Sequence, residues 1–487
     1  MGLDVTRKRA AGEGREAQNI MASYHFIGIG GVGMSGIAQL LLQMGHRVSG
    51  SDVRESEITL RLERMGARIF IGHRPDNLPM VDEVVVSSAI PPENVELQEA
   101  RRRGIPIRHR GDMLARLMQE QQGIAIAGCH GKTTTTSLIA LILEHAGMDP
   151  SVLIGGELHD IGGNAKMGQG TYLVAETDES DGSFLKLRPR WAVITNIDRD
   201  HLDHYGGNFG RLKEAFAKFA SLVHPDGGLV ACFDDPHVRE AARGARCRVV
   251  SYALDHPGAK YGADELRLGA DSSSFLMLRG DRPLGRVNLS VTGRHNVQNA
   301  LASAALAYEL GVDLDSIRRA LRQFRGARRR FERQGQVQGV TVIDDYAHHP
   351  TEVVATIRAA RLLKPRKLIC LFQPHRYTRT QLLGPELGQA LAEADLAVVV
   401  PIYAAGERPL EGVDARRVVE GARARGGRAR YCAGIDEAVS LVVEEVEPGD
   451  VVITMGAGDV WQAAPRILRA LERRYLEGDR CRFRASS

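Results

Sequence analysis

The chain has 487 residues, 43% of them apolar and 25% charged, with 64 Lys and Arg against 60 Asp and Glu. That length suits about three domains with cores of their own, and the composition excludes a wholly disordered chain. A net charge of +4 over this length is no nucleic-acid footprint, and no run approaches the roughly 18 apolar residues of a membrane span.

Residues 1–20 are charged and lack an apolar signal core, so they are expected to form a disordered tail. The six cysteines, Cys129, Cys232, Cys247, Cys370, Cys432 and Cys481, are scattered without a Cys-x-x-Cys pair. This suits a reducing compartment, argues against a structural zinc, and predicts a cytoplasmic protein. The basic runs 101–103 and 328–330 read as solvated faces or anion contacts.

Short apolar runs then alternate with helical stretches, the pattern of α/β domains with parallel sheets. Three series predict a first domain over 21–121, a central domain over 122–327 and a third over 328–487. The first opens with the buried run Tyr24-His25-Phe26-Ile27 and continues through 46–52 and 83–88. The second holds runs at 123–127, 171–175 and 191–195. The third holds runs at 340–343, 367–372, 397–400 and 450–454.

Directly after the first run comes Gly28-Ile29-Gly30-Gly31-Val32-Gly33-Met34-Ser35-Gly36, which opens a helix. Glycines let the backbone approach a phosphate, and a helix N-terminus supplies free N–H groups and a positive dipole end. Asp52 closes the next strand, where a carboxylate can bind a ribose or base. The extra Gly31 departs from the usual dinucleotide spacing, and the loop does not say which nucleotide binds. A glycine-rich packing turn is the alternative.

The second loop is Gly128-Cys129-His130-Gly131-Lys132-Thr133-Thr134, again between a buried strand and an apolar helix. Its backbone would cradle the β- and γ-phosphates of ATP. Lys132 would neutralise their charge and Thr133 would reach Mg²⁺. The common form has a glycine where Ile126 stands. Cys129 reads as a small loop filler, and His130 could contact phosphate or merely pack. Two nucleotide loops in one chain suggest that ATP hydrolysis drives a reaction of a substrate that itself carries a nucleotide handle.

The acidic group 176–183 begins where a strand ends, which places Glu176 to hold Mg²⁺ opposite Thr133. Glu179 and Asp181 could equally belong to a solvated loop. The group 195–205 follows the next strand, and His201 could ligate the metal through a neutral imidazole. Arg376 and Arg379, three residues apart beyond the run 367–372, could aim both guanidinium groups at one carboxylate.

These stretches, with 293–299, 344–350, 372–380 and 456–459, resemble the Mur ligase family from about residue 24 to about residue 471. The resemblance implies three domains: a Rossmann-like domain for a UDP-sugar, a central ATPase domain with a mostly parallel sheet, and a Rossmann-like C-terminal domain that brings the amino acid. It implies Thr133, Glu176 and His201 for Mg²⁺, and His295, Asn296, Asn299, Arg330 and Asp345 beside the adenosine and phosphates of ATP. On the UDP-sugar side it implies Gly28, Gly30, Gly31, Val32, Gly33, Asp52, Ser87, Ser88, His109 and Arg110. His348, His375, Arg376 and Arg379 would orient the sugar carboxylate and the amino acid, and His348, another site histidine or water would accept the proton of the attacking amine.

The stretches 344–350 and 372–380 point to the member that joins L-alanine to UDP-N-acetylmuramate, both small molecules, in a monomer or homodimer. Later members carry a carbamylated lysine where this chain has Phe216, so none is expected. The resemblance also implies domain closure about a hinge near 326–330. The rival readings are a recycling ligase for a preformed murein tripeptide, a folate polyglutamate ligase, a nucleotide-gated regulatory protein without chemistry, and a dehydrogenase.

Overall fold

The computed structural model describes residues 21–158 and 163–485; the expected N-terminal tail falls outside them. Every side chain of Ser23–Ile27 is buried, as a parallel strand covered by helices on both faces requires. It forms the centre of the first sheet, whose order is Arg68–Ile71, Arg47–Asp52, Ser23–Ile27, Glu83–Val86, Ile107–His109, parallel throughout. The chain leaves Ser23–Ile27 between its two neighbours, at the switch point where such sheets take ligands. Helix Val32–Gln43 starts there.

The second sheet has ten strands, with Gln122–Ala127 lying between Tyr172–Glu176 and Trp191–Ile194. Helix Lys132–His145 is buried along residues 133–143, so it carries Leu, Ile and Ala on every side and no amphipathic stripe. Beyond Tyr261–Leu268 the pairing turns antiparallel through Ser273–Arg279 and Arg282–Leu289. At the opposite edge Gly163–Lys166 runs antiparallel to Ser151–Leu158. This hairpin packs against the first domain: Asn164 Nδ2 donates to the Val32 carbonyl at 2.7 Å and Gln39 Nε2 donates to the Ala165 carbonyl at 2.5 Å.

The third sheet runs Glu332–Val337, Val340–Asp345, Val451–Met455, Leu368–Phe372, Leu396–Val399, Ala429–Tyr431, parallel except for the first pair. The segment expected to act as a hinge lies just before it. There Gly326, Arg329 and Phe331 have φ of +88°, +57° and +51°. Arg329 is anchored to the third domain, donating to Asp344 at 2.9 Å and to the Gly456 carbonyl at 2.6 Å.

Candidate active site

The central loop is shaped from outside itself. A Cβ on Gly128, at φ +135°, would stand 2.1 Å from Thr195 Oγ1, and one on Gly131 would stand 2.6 Å from Asn299 Oδ1. Only glycine fits either place. Thr195 Oγ1 donates to the His130 carbonyl at 2.7 Å, and Asn196 Oδ1 accepts from the His130 N–H at 2.9 Å. Thus the start of the 195–205 group moulds the phosphate loop. Cys129 fits the filler reading, because burial pushes its thiol well up and its sulfur lies against the Asp198 backbone.

Lys132 Nζ lies 2.8 Å from Glu179 and 2.6 Å from the Gly128 carbonyl. Glu179 is fully buried, and burial pushes its carboxyl up to about 7 against the opposing pull of Lys132. The Thr133 hydroxyl donates to Glu176 at 2.9 Å, so the pair expected to share a metal is adjacent. His201 Nε2 stands 3.9 Å from Glu179 and 3.5 Å from Asp200. Burial lowers its imidazole to about 4, which keeps the ring neutral.

In the first domain the Gly28 and Ile29 N–H groups donate to the Ser51 carbonyl at 2.8 and 3.0 Å. Asp52 accepts from the Gly30 N–H at 2.8 Å. The carboxylate expected to meet a ribose or base is therefore engaged with its own loop. Arg110 lies beside Gly33 and reaches across to Asp178 and Asp181 of the central domain at 2.5 and 3.0 Å. Ser88 contacts His109 Nε2 at 2.9 Å and donates to Asp181 at 2.8 Å. Five predicted residues of the UDP-sugar side, Val32, Gly33, Ser88, His109 and Arg110, thus gather near the seam, whereas the Ser87 carbonyl accepts from the Ile90 N–H within the first domain.

The third domain meets the central one through buried charge. Arg379 donates to Asp200 at 2.7 and 3.2 Å. Of the two arginines expected at one substrate carboxylate, Arg379 is thus already engaged with a carboxylate of the protein, and both line the same cavity. The Arg376 guanidinium has no hydrogen-bond or ion-pair partner among the described residues. Removing Arg379 would leave Asp200 buried and uncompensated, a cost of about 3–5 kcal/mol. His375 stacks on Tyr403 with ring centroids 5.7 Å apart.

One cavity of about 360 Å³ collects most of these groups. It is lined by Val32, Gly33 and Arg110 of the first domain, by Lys132, Thr133, Glu176 and His201 of the second, and by His348, His375, Arg376 and Arg379 of the third. A neighbouring cavity of about 440 Å³ holds His130, Gly131, Thr134, His295, Asn296, Asn299, Arg330 and Asp345. Arg330 lines both. Asp345 already accepts from the Phe331 and Ala347 N–H groups at 2.7 and 2.8 Å, and burial raises its carboxyl to about 6. Gly28, Gly30, Gly31 and Asp52 line neither cavity.

Three acids escaped the sequence reading as site residues. Asp198 and Asp200 belong to the group 195–205 and Glu352 follows the stretch 344–350, and none of the three carries a role in the sequence pattern. Glu352 carries a local signal, because a Glu soon after His-Pro is a helix-start signature. Phe216, at the carbamylated-lysine position of later family members, is fully buried against Phe184.

Comparison with known proteins agrees with this geometry. Residues 23–122 match the Mur ligase family catalytic domain, 126–307 the Mur ligase middle domain, and 329–458 the Mur ligase glutamate ligase domain. A UDP-N-acetylmuramate–L-alanine ligase of Pelotomaculum thermopropionicum is 49% identical over 449 residues, covering 92% of this chain and 97% of its own. The crystal structure of a UDP-N-acetylmuramate–alanine ligase from Thermotoga maritima superimposes with a TM-score of 0.80 at 29% identity, over 93% of this chain and 99% of that one. A murein peptide ligase from Psychrobacter arcticus does so with a TM-score of 0.70 at 26% identity, over 92% and 98%. Three domains matched in order, with their loops converging on one cavity, place the chain in the Mur ligase family, to which it belongs.

Proposed function

We propose that this chain joins L-alanine to the carboxylate of UDP-N-acetylmuramate, converting ATP to ADP and phosphate. The observation that carries this reading is the cavity to which all three domains contribute a different kind of group. The glycine loop of the first suits a diphosphate handle, the Lys132 loop a transferable phosphoryl group, and the third domain's histidines and Arg376 a carboxylate and an amine. The ligases from Pelotomaculum and Thermotoga support the choice of substrates.

A carboxylate is a poor acyl donor because its oxide is a poor leaving group. Phosphorylation by ATP gives an acyl phosphate, a step that needs positioning and charge neutralisation rather than a covalent protein group. Lys132 supplies one such charge. The oxygen set beside it fits a hard cation: Thr133 and Glu176 are adjacent, and Glu179 Oε2 is buried without a hydrogen-bond partner among the described residues. Bound there, Mg²⁺ would neutralise charge on the transferring phosphoryl group, with His201 as a neutral ligand or neighbour. The amine then attacks the acyl carbon, phosphate departs and an amide remains. His295, Asn296 and Asn299 would hold the adenosine in the second cavity. Among the described residues no helix is long and apolar enough to cross a membrane, and we assign the reaction to the cytoplasm.

The test is ADP formation with UDP-N-acetylmuramate and each amine in turn. Turnover that requires both the UDP-sugar and alanine is expected. Turnover with a murein tripeptide but not alanine would replace this reading by the recycling ligase, and ATP binding without turnover would replace it by a regulatory role.

A further inference from the structure

Glu352 stands in the first turn of helix Pro350–Arg361, where it accepts from the His349 N–H at 3.4 Å as part of a helix cap. Its carboxylate has other partners that a cap does not need. Oε2 accepts from the His348 N–H at 3.1 Å and lies 3.4 Å from His348 Nδ1. Oε1 lies 3.3 Å from His130 Nδ1 in the phosphate loop and 3.7 Å from Arg330.

The ring protons follow from these partners. His348 Nδ1 faces the Tyr346 carbonyl at 2.9 Å and the Glu352 carboxylate at 3.4 Å. A carbonyl and a carboxylate only accept, so the proton sits on Nδ1 and the lone pair is left on Nε2. His130 faces carboxylates from both nitrogens, Asp198 at 3.0 Å and Glu352 at 3.3 Å, so both carry protons and the ring is a cation. That cation and Arg330 keep the Glu352 carboxylate ionised beside His348. One carboxylate thereby joins the ATP loop to a histidine that lines the reaction cavity.

We propose that Glu352 is the positioning residue of His348: it fixes the proton on Nδ1, so that Nε2 accepts the proton of the attacking amine. The inference rests on the ligase reading above. As the amine nitrogen bonds to the acyl carbon, the carbon–oxygen bond to phosphate breaks and the phosphate leaves with that electron pair. The nitrogen's surplus proton passes to Nε2, and Glu352 stabilises the imidazolium so formed.

The test compares Glu352→Gln, His348→Gln and the double variant. Glutamine keeps the cap acceptor and removes the charge. Glu352→Gln is expected to lower alanine-dependent kcat tenfold or more while KM for the UDP-sugar stays near that of the unsubstituted chain. In single-turnover quench experiments without amino acid, its ADP formation should fall by clearly less than its alanine-dependent turnover. In the His348→Gln background the Glu352→Gln change should add less than twofold, because the group it acts through is gone. Equal factors in both backgrounds, or an unchanged kcat, would overturn the proposal. Absence of alanine-dependent turnover in the unsubstituted chain would overturn the ligase reading, and the proposal with it.

Discussion

The two glycine loops look alike in sequence and are built differently. The first is held by the neighbouring strand: the Ser51 carbonyl and the Asp52 carboxylate take three of its N–H groups, and no lysine follows. The second is held by the side chains of Thr195 and Asn196, and carries Lys132, with Thr133 beside Glu176. A helix N-terminus alone binds a phosphate that stays intact. Transfer of a phosphoryl group demands added charge where charge develops. The difference fits the proposed division between a loop that grips a handle and a loop that takes part in chemistry.

Lys132→Ala should break that contrast most severely. Loss of one preorganised charge at the transferring group is expected to lower kcat by about 10²–10³-fold, with UDP-sugar affinity unchanged by calorimetry. Near-normal turnover would remove the distinction between the loops. Gly128→Ala tests the rigid mould: its Cβ would meet Thr195 Oγ1 at 2.1 Å. Overpacking of about 1–3 kcal/mol should weaken ATP binding by roughly 5- to 150-fold, read by competition with a fluorescent nucleotide.

Glu176→Gln should lower turnover at limiting Mg²⁺ by about tenfold, the worth of one charge-assisted contact, and excess Mg²⁺ should restore much of it. A Mg²⁺ titration checks this, and a parallel loss at all concentrations would separate Glu176 from the metal. Asp52→Asn should have the smallest effect. Weakening one hydrogen bond to the Gly30 N–H costs about 1 kcal/mol, seen as a roughly fivefold loss of UDP-sugar affinity with KM for ATP unchanged. An equal effect on both nucleotides would mean that the loops do not serve separate ligands.

The strands legible in the sequence were those buried on both faces, such as Phe26-Ile27, Ile124-Ala125 and Val398-Val399, where a continuous apolar run leaves no other reading. Glu332–Val337 escaped, because an edge strand can be polar on its open side and ERQGQV carries little periodic signal. Arg282–Leu289, at an edge of the central sheet, escaped for the same reason, and Tyr261–Leu268, inside that sheet, escaped because most of its side chains are only partly buried or exposed. Lys132, Thr133, Glu176 and His201, each singled out in the sequence from a stretch that follows a strand, line one cavity. The partner of Arg379 was not legible, because Asp200 lies 179 residues away.

Some features were decided within the sequence itself. A glycine loop between an apolar strand and an apolar helix marks a candidate phosphate loop from the sequence alone, while the shape of the second one is completed by Thr195 and Asn196. The tertiary structure alone decided which charges would meet. Glu352 reaches His130 across 222 positions, and Arg110 reaches Asp178 across 68. Charges far apart in sequence have no preferred partner until packing excludes water between them. Only then does the low dielectric of the seam make their pairing, and the protonation of His130 and His348, definite.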